Sequence, residues 1–415
     1  MMVNTINHTV ARETILGFLK ENPMPCIEGM EPAVVSHWIQ NPEAKVYALF
    51  HDSFCGALSP QKRRKDRVAD YGLQKLLFDV DVPFPPPQKP KFTFIDLFAG
   101  IGGIRMAMQN VGGKCVFSSE WDLAAQKTYE CNYGEIPFGD ITEQKIKDMI
   151  PTGFDMLCAG FPCQPFSISG RMGGFNDARG TLFFDICEII KKQNPKVVLL
   201  ENVKHLIHHN RGTTLSVILQ SLEELGYVIQ KKLLNASHFG VAQNRERIII
   251  IGTKKQPFDF DAVKTEPRVF LHEVLGNEGM FEYLNPAEYT LIVSPKRQDS
   301  GLMFVGYRNK SIRKAGVRAG TEHLSRVHKQ PNRIYSVEGL HPTLPSQESA
   351  GRFFILTRGN RVRKLTISEC YNLMGFPSEF RMSPTPSAQY LQIGNSVCVP
   401  MIQAIGDALL TQGFV

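Results

Sequence analysis

No two cysteines in this chain are spaced C-x-x-C, and the nine that occur, an odd number, stand apart from any histidine cluster. That scatter gives no basis for a disulfide framework or a structural zinc site, and it suits a reducing, cytoplasmic setting. The sequence also lacks an N-terminal apolar stretch of signal-peptide type and any run of about 18 apolar residues, so neither secretion nor a membrane span is expected. Charge of one sign is scarce overall. The formal net charge is +7 over 415 residues, which by itself says little about a polyanionic partner. With 43% hydrophobic and 21% charged residues, the composition is that of a folded globular protein long enough for two or three packed units.

Acid is what the segment 301–364 lacks. Only Glu322, Glu338 and Glu348 offset a series of arginines and lysines running from Arg308 to Lys364. Ahead of it, short apolar runs alternate with helical patterns over residues 92–253, as expected of a mostly parallel sheet with helices on both faces. Strands are expected at 93–98, 115–119, 155–159, 197–200, 227–234 and 247–252, the last two as an antiparallel hairpin at one edge. The reading divides the chain into a helical extension (1–82), a Pro-rich linker (83–91), a catalytic domain (92–253) and a small basic domain (254–389). A final segment (390–415) regains helical periodicity and returns to the catalytic domain.

Four segments carry chemistry. Phe94-Ile95-Asp96-Leu97-Phe98-Ala99-Gly100-Ile101-Gly102-Gly103 reads as a strand entering a Gly-rich turn, where backbone can approach a ligand at the carboxyl end of a strand. Glu120, 18 residues after Gly102, is placed to accept hydrogen bonds from ribose hydroxyls. The third glycine of G-x-G-x-x-G is missing, which favours an adenosine without a pyrophosphate; a turn that merely packs a helix on the sheet reads the same in isolation. In Ala159-Gly160-Phe161-Pro162-Cys163-Gln164-Pro165-Phe166-Ser167, nearby prolines fix a loop that presents a thiol at the same edge. Buried cysteines commonly act as small hydrophobes, the reading preferred for Cys115, Cys158 and Cys187, but the prolines set Cys163 apart as a nucleophile. Val197-Val198-Leu199-Leu200-Glu201-Asn202-Val203 ends another strand in an acid, either a proton donor or an ordinary solvated strand end. Finally, Arg245 and Arg247 alternate along Gln243-Asn244-Arg245-Glu246-Arg247 and suit a carbonyl or phosphate clamp, although such a pair alone is more often a solvated turn.

In this order the segments resemble the bacterial DNA cytosine-5 methyltransferases of restriction-modification type. The matching pieces are F-x-D-L-F-A-G-I-G-G, S-E-W-D, G-D-I-T, G-F-P-C-Q-P-F-S, G-T-L-F-F-D, E-N-V, Q-N-R-E-R, R-K-L-T-x-x-E-C-x-x-L-M-G-F-P and Q-I-G-N-S-V, over residues 92–253 and 357–415. The resemblance implies an α/β, Rossmann-like S-adenosylmethionine-dependent methyltransferase sheet with a small DNA-recognition domain and a helical N-terminal extension. It implies that Cys163 adds to cytosine C6, that Glu201 protonates or hydrogen-bonds N3, and that Arg245 and Arg247 orient the base and the nucleophile. Phe98 and Trp121 then stack on the adenine of the cofactor, Glu120 holds the ribose, and Asp140 and Ile141 approach the adenine edge. Ala99, Gly100, Ile101, Gly102, Gly103, Gly160, Pro162, Leu182, Asn395 and Ser396 complete the pocket.

No metal is called for. S-adenosyl-L-methionine is the expected methyl donor, with S-adenosylhomocysteine as product. The expected partner is double-stranded DNA carrying a flipped-out cytosine, read by a protein acting as a monomer, with a cognate restriction endonuclease sharing the site. Residues 167–174 are expected to form a flap over the duplex, and 307–314 to belong to the recognition surface. An RNA cytosine-5 methyltransferase on the same core and a non-catalytic DNA-binding regulator stand as alternatives. The extension lies outside the resemblance. Residues 33–40 suit either the second helix of a helix-turn-helix or a helical appendage packed on the catalytic domain, and 61–67 add basic charge.

Overall fold

The computed structural model describes residues 8–47, 82–162, 182–276, 281–310, 320–346 and 354–415. Contacts divide the chain into two compact units, one comprising residues 1–231, 250–258 and 409–415 and the other 232–249 and 259–408. The sequence reading had placed its divisions at 82, 91, 253 and 389.

The first unit is organised by a six-stranded sheet in the order β2-β1-β3-β4-β7-β5. Its strands are β1 (Phe92–Leu97), β2 (Gly113–Ser119), β3 (Met156–Gly160), β4 (Val197–Val203), β5 (Val228–Asn235) and β7 (Glu246–Thr253), the last two continuing into the second unit. The strand β1 pairs in parallel with both β2 and β3, and β3 in parallel with β4. Strands buried on both faces need continuous apolar runs, and Met156, Leu157, Cys158 and Ala159 are all fully buried. The Thr253 hydroxyl reaches the Val228 carbonyl, while the Ala236 amide donates to the Arg245 carbonyl. Start therefore lies beside end, as in the expected antiparallel pair.

Helices connect the strands: α3 (Gly103–Asn110), α4 (Leu123–Tyr133), α5 (Leu182–Gln193) and α6 (Thr213–Glu224). The start of α4 is capped by Asp122, whose carboxylate accepts the Ala125 amide at 2.7 Å, and its end by Gly134 at φ +69°. From β1 the chain steps to β2 on one side and later to β3 and β4 on the other. The order therefore reverses at β1, and the crevice at the carboxyl ends of β1 and β3 is where such sheets bind ligands.

Ahead of β1, α1 (His8–Glu21) and α2 (Glu31–Gln40) belong to the same unit. Every residue of α2 from Ala33 to Gln40 is buried, which leaves no face to enter a DNA groove and removes the helix-turn-helix reading for this segment. Residues 61–67 lie outside the described residues. The Pro-rich stretch is stitched to the unit: the Phe84 amide donates to the Asn132 carbonyl, and the Gln109 side chain donates to the carbonyls of Phe84 and Pro85.

The second unit holds a five-stranded sheet, β13-β12-β10-β9-β8, formed by Val362–Lys364, Phe354–Leu356, Arg333–Ser336, Phe304–Arg308 and Tyr289–Leu291. Val305, Ile334, Phe354 and Val362 pack on one face, Phe304 and Tyr335 on the other. A two-stranded parallel pair joins β6 (Gln243–Asn244) to β11 (His341–Pro342). Near the C-terminus, residues 386–411 are long and apolar enough to cross a membrane by composition. They form two helices, α7 (Pro386–Asn395) and α8 (Val399–Thr411), and Met401, Ile402, Ile405 and Leu409 are fully buried, as in a core helix.

Candidate active site

The Gly-rich turn after β1 is built from left-handed backbone. Phe98 sits at φ +56°, Gly100 at +55° and Gly102 at +85°. For a phenylalanine that conformation is costly, and it persists only where its surroundings enforce it, which is common at ligand sites. At Gly102 no side chain fits: a Cβ would lie 2.2 Å from the Tyr133 ring, whose hydroxyl donates to the Gly102 carbonyl at 2.7 Å. The Ala99 amide donates to the Ser119 carbonyl at 2.9 Å, tying the turn to the end of β2.

Glu120 follows β2 directly and is 8% exposed. One carboxylate oxygen accepts the Gly100 amide and the other the Asp122 amide, both at 2.8 Å. Burial raises its pKa while those amides act in the opposite direction. A carboxylate has about four acceptor positions, so two amides leave capacity for hydroxyl donors. Beside it, Trp121 is 77% exposed, a large apolar surface left open at the crevice. Asp140 accepts the Thr142 amide through Oδ1, and the Ile141 side chain is buried. Gly160 ends β3, Pro162 is exposed after it, and Leu182 opens α5.

In β4, Glu201 is 8% exposed and lies in register opposite Gly160, three residues before Cys163 in the chain. Cys163 and the flap expected at 167–174 lie outside the described residues, as do 311–314 of the basic run. Asn202 follows Glu201 in β4. Its side-chain amide donates to the Phe161 carbonyl at 2.9 Å, fixing the backbone two residues before the cysteine. Tyr133 was missed altogether, since nothing in its local sequence signals a contact with Gly102.

Arg245, Arg247, Asn395 and Ser396 belong to the second unit. The Arg245 guanidinium, 1% exposed, donates to three backbone carbonyls: Leu344 at 3.3 Å, Gly394 at 3.0 Å and Ser396 at 2.5 Å. It is a carbonyl clamp, one of the two uses its spacing allowed, and it holds the end of α7, where Asn395 and Ser396 lie. Arg247 is 8% exposed and donates to the Glu246 carbonyl at 2.9 Å. Gln243 also clamps, donating to the Leu373 carbonyl at 2.8 Å and accepting the Leu344 amide.

The strand-order reversal, the Gly turn and the acids after β2 and in β4 gather at one carboxyl edge of the sheet, where such sheets bind ligands. The chain belongs to the C-5 cytosine-specific DNA methylases, whose family model matches residues 92–411. It is 43% identical over 342 residues to the type II methyltransferase M.HpaII of Haemophilus parainfluenzae, covering 78% of this chain and 91% of that relative. Identity to the type II methyltransferase M.HhaI of Haemophilus parahaemolyticus is 40% over 320 residues, 75% of this chain and 92% of the relative. The fold matches a putative DNA modification methyltransferase from an Escherichia coli prophage with a TM-score of 0.55 at 21% identity, over 77% of this chain and 99% of that one. It also matches the Dnmt2 methyltransferase of S. pombe, with a TM-score of 0.54 at 16% identity, over 78% and 99%. The protein is a DNA (cytosine-5)-methyltransferase.

Proposed function

We propose that the enzyme uses S-adenosylmethionine to methylate a flipped-out cytosine within a short duplex sequence through a covalent Cys163 adduct, as a monomer and beside a cognate restriction endonuclease. The observation that carries the reading is the register of Glu201 opposite Gly160, which places an acid on the strand adjoining the one that leads to Cys163. The type II names of the relatives support the restriction-modification setting. The residues at the turn suit the donor: Glu120 for ribose hydroxyls, Trp121 and Phe98 for the adenine faces, and the Gly100–Gly102 backbone for close approach. Gly103, Ala99, Ile101, Asp140, Ile141, Gly160, Pro162, Leu182, Asn395 and Ser396 complete the assignment. When bound, S-adenosylmethionine supplies an electrophilic methyl on a sulfonium and leaves as S-adenosylhomocysteine.

Cytosine C5 is too weak a nucleophile to take that methyl unaided. The Cys163 thiolate adds to C6, forming a C–S bond and shifting the electron pair toward C5. Glu201 holds a proton at N3, which relieves the negative charge that addition creates. Once C5 carries the methyl, removal of the C5 proton restores the ring double bond and expels the thiolate. Arg245 acts through the 394–396 backbone, and Arg247 follows it at the start of β7.

The basic second unit takes the duplex, its arginines and lysines contacting phosphates and a few side chains reaching base edges. Labelled methyl transfer to duplex DNA and to transfer RNA, run side by side and followed by bisulfite sequencing, tests this. Label confined to one short duplex context supports the proposal. Label on transfer RNA alone favours the RNA reading.

A further inference from the structure

In the N-terminal extension, the buried polar side chains of Ser36, His37 and Gln40 reach from α2 to the segments proposed to form the cofactor site. Gln40, at the end of α2, is 1% exposed. Its oxygen accepts from Arg105 Nη2 at 2.9 Å, and its nitrogen donates to the Tyr133 carbonyl at 2.8 Å. His37, one turn earlier and fully buried, presents Nδ1 to the Ala33 carbonyl at 2.9 Å. Its Nε2 accepts the Ser118 amide at 3.1 Å and lies 3.2 Å from Glu135 Oε1. Glu135 Oε1 in turn accepts from Arg105 Nη1 at 2.7 Å and from the Ser118 hydroxyl at 2.9 Å. Next to His37, the Ser36 hydroxyl accepts the Ile136 amide at 3.0 Å.

Each partner leads to a residue assigned to the cofactor. Arg105 lies in α3, the helix that opens at the Gly102 turn, and its guanidinium sits over the rings of Tyr129 and Tyr133. Tyr133 touches Gly102 directly. Ser118 precedes Glu120 by two residues, and its carbonyl accepts the Phe138 amide, while the Glu120 amide donates to the Phe138 carbonyl. Phe138 packs on the His37 ring at 4.5 Å between centroids and leads to Asp140. Thus α2 holds from behind the three segments that carry Gly100–Gly102, Glu120 and Asp140. A buried network of this kind is stable only when its members are satisfied, so removing one loosens the rest.

We infer that His37 and Gln40 of the N-terminal extension are positioning residues for the cofactor site, holding Arg105, Ser118 and Glu135 so that the Gly turn, Glu120 and Asp140 stay in place for the methyl donor. This rests on the assignment of that site to S-adenosylmethionine. The test is calorimetric binding of S-adenosylhomocysteine to the full chain, comparing wild type with His37→Ala, Gln40→Leu, the conservative His37→Gln, and Leu222→Ala. Leu222 is fully buried in α6 of the same unit and away from the network, so its truncation controls for lost stability.

The expected result is a dissociation constant raised about tenfold by His37→Ala and by Gln40→Leu, the factor for one lost hydrogen bond. Affinity for duplex DNA stays near wild type, His37→Gln recovers most of the loss through its oxygen on the Ser118 amide, and Leu222→Ala lowers Tm without weakening binding. Wild-type affinity in the folded network variants, whatever their Tm, overturns the inference while leaving the cofactor reading intact. A wild-type enzyme that does not bind S-adenosylhomocysteine overturns the cofactor reading, and this inference with it.

Discussion

Gly102 combines positive φ with a Tyr133 ring where a Cβ would stand, so strain and overlap act together. Gly102→Ala should cost about 1–3 kcal/mol and weaken cofactor binding at least in proportion, as thermal unfolding and calorimetry will show. Glu201→Gln keeps the shape of the side chain and removes its titratable proton. It should lower the methyl-transfer rate by about 100- to 10,000-fold while DNA affinity holds. Asp96, fully buried in β1, has its pKa raised well above the usual carboxylate range by burial, against the opposing pull of the Arg105 charge and amide. Since the folded state holds that proton to higher pH than the unfolded chain does, stability contributed by Asp96 falls as pH rises through the ordinary carboxylate range. The Tm difference in favour of Asp96→Asn should therefore widen as pH rises above the ordinary value of 3.8. The positions of Glu120 and Glu201 at the carboxyl ends of apolar strands were legible as sequence, because the strands themselves are. The contacts of Tyr133, Asn202 and His37 were not, because they depend on partners supplied by the fold.

At the level of elements, α2 shows why a helix can be legible while its use is not. Its apolar residues predicted a helix, yet Ser36, His37 and Gln40 on the same helix are as buried as Val34 and Val35, which no periodicity announces. The Glu135 carboxylate it helps to hold would be raised by burial alone, but the Arg105 guanidinium, helped by the Ser118 hydroxyl, brings its pKa down to about 2. A depressed acid stabilises the fold fully above its unfolded pKa, near the ordinary value of 4.5, and loses that contribution as pH falls toward about 2. Trp38 fluorescence, from a residue 3% exposed, should report loosening of α2 across that interval. Glu135→Gln should lack this pH dependence and start from a lower Tm. In the second unit, Arg363 and Glu369 form a two-pronged pair with both bonds at 2.8 Å, 3% and 6% exposed. Arg363→Met leaves the Glu369 charge buried and uncompensated, and should cost about 3–5 kcal/mol in thermal unfolding. The six strands of the main sheet were expected within a few residues, because buried apolar runs between helical patterns are a strong signal. The short strands of the second unit were not, since runs of three to five residues carry too little periodicity.

For the molecule as a whole, the chain's order is not the order of its units. Residues 250–258 and 409–415 return to the first unit, and α1 and α2 belong to it from the start. A reader of sequence sees composition change at 82–91 and at 253, whereas contacts ignore both because the Pro-rich stretch is hydrogen-bonded to α3 and α4. The family was legible from motifs spread over both units, since their order and spacing carry chemistry that no single segment does. The proposed mechanism requires a Cys163 adduct at cytosine C6, and duplex DNA bearing 5-fluorocytosine tests it most directly. Fluorine at C5 cannot leave as a proton does, so the adduct, once methylated, cannot collapse. Wild-type enzyme with S-adenosylmethionine should form a complex with this DNA that survives denaturation and carries the labelled methyl, and Cys163→Ala should form none. A wild-type enzyme that methylates ordinary duplex DNA yet leaves no covalent complex on the fluorinated duplex, or a Cys163→Ala enzyme that still forms one, would contradict the account.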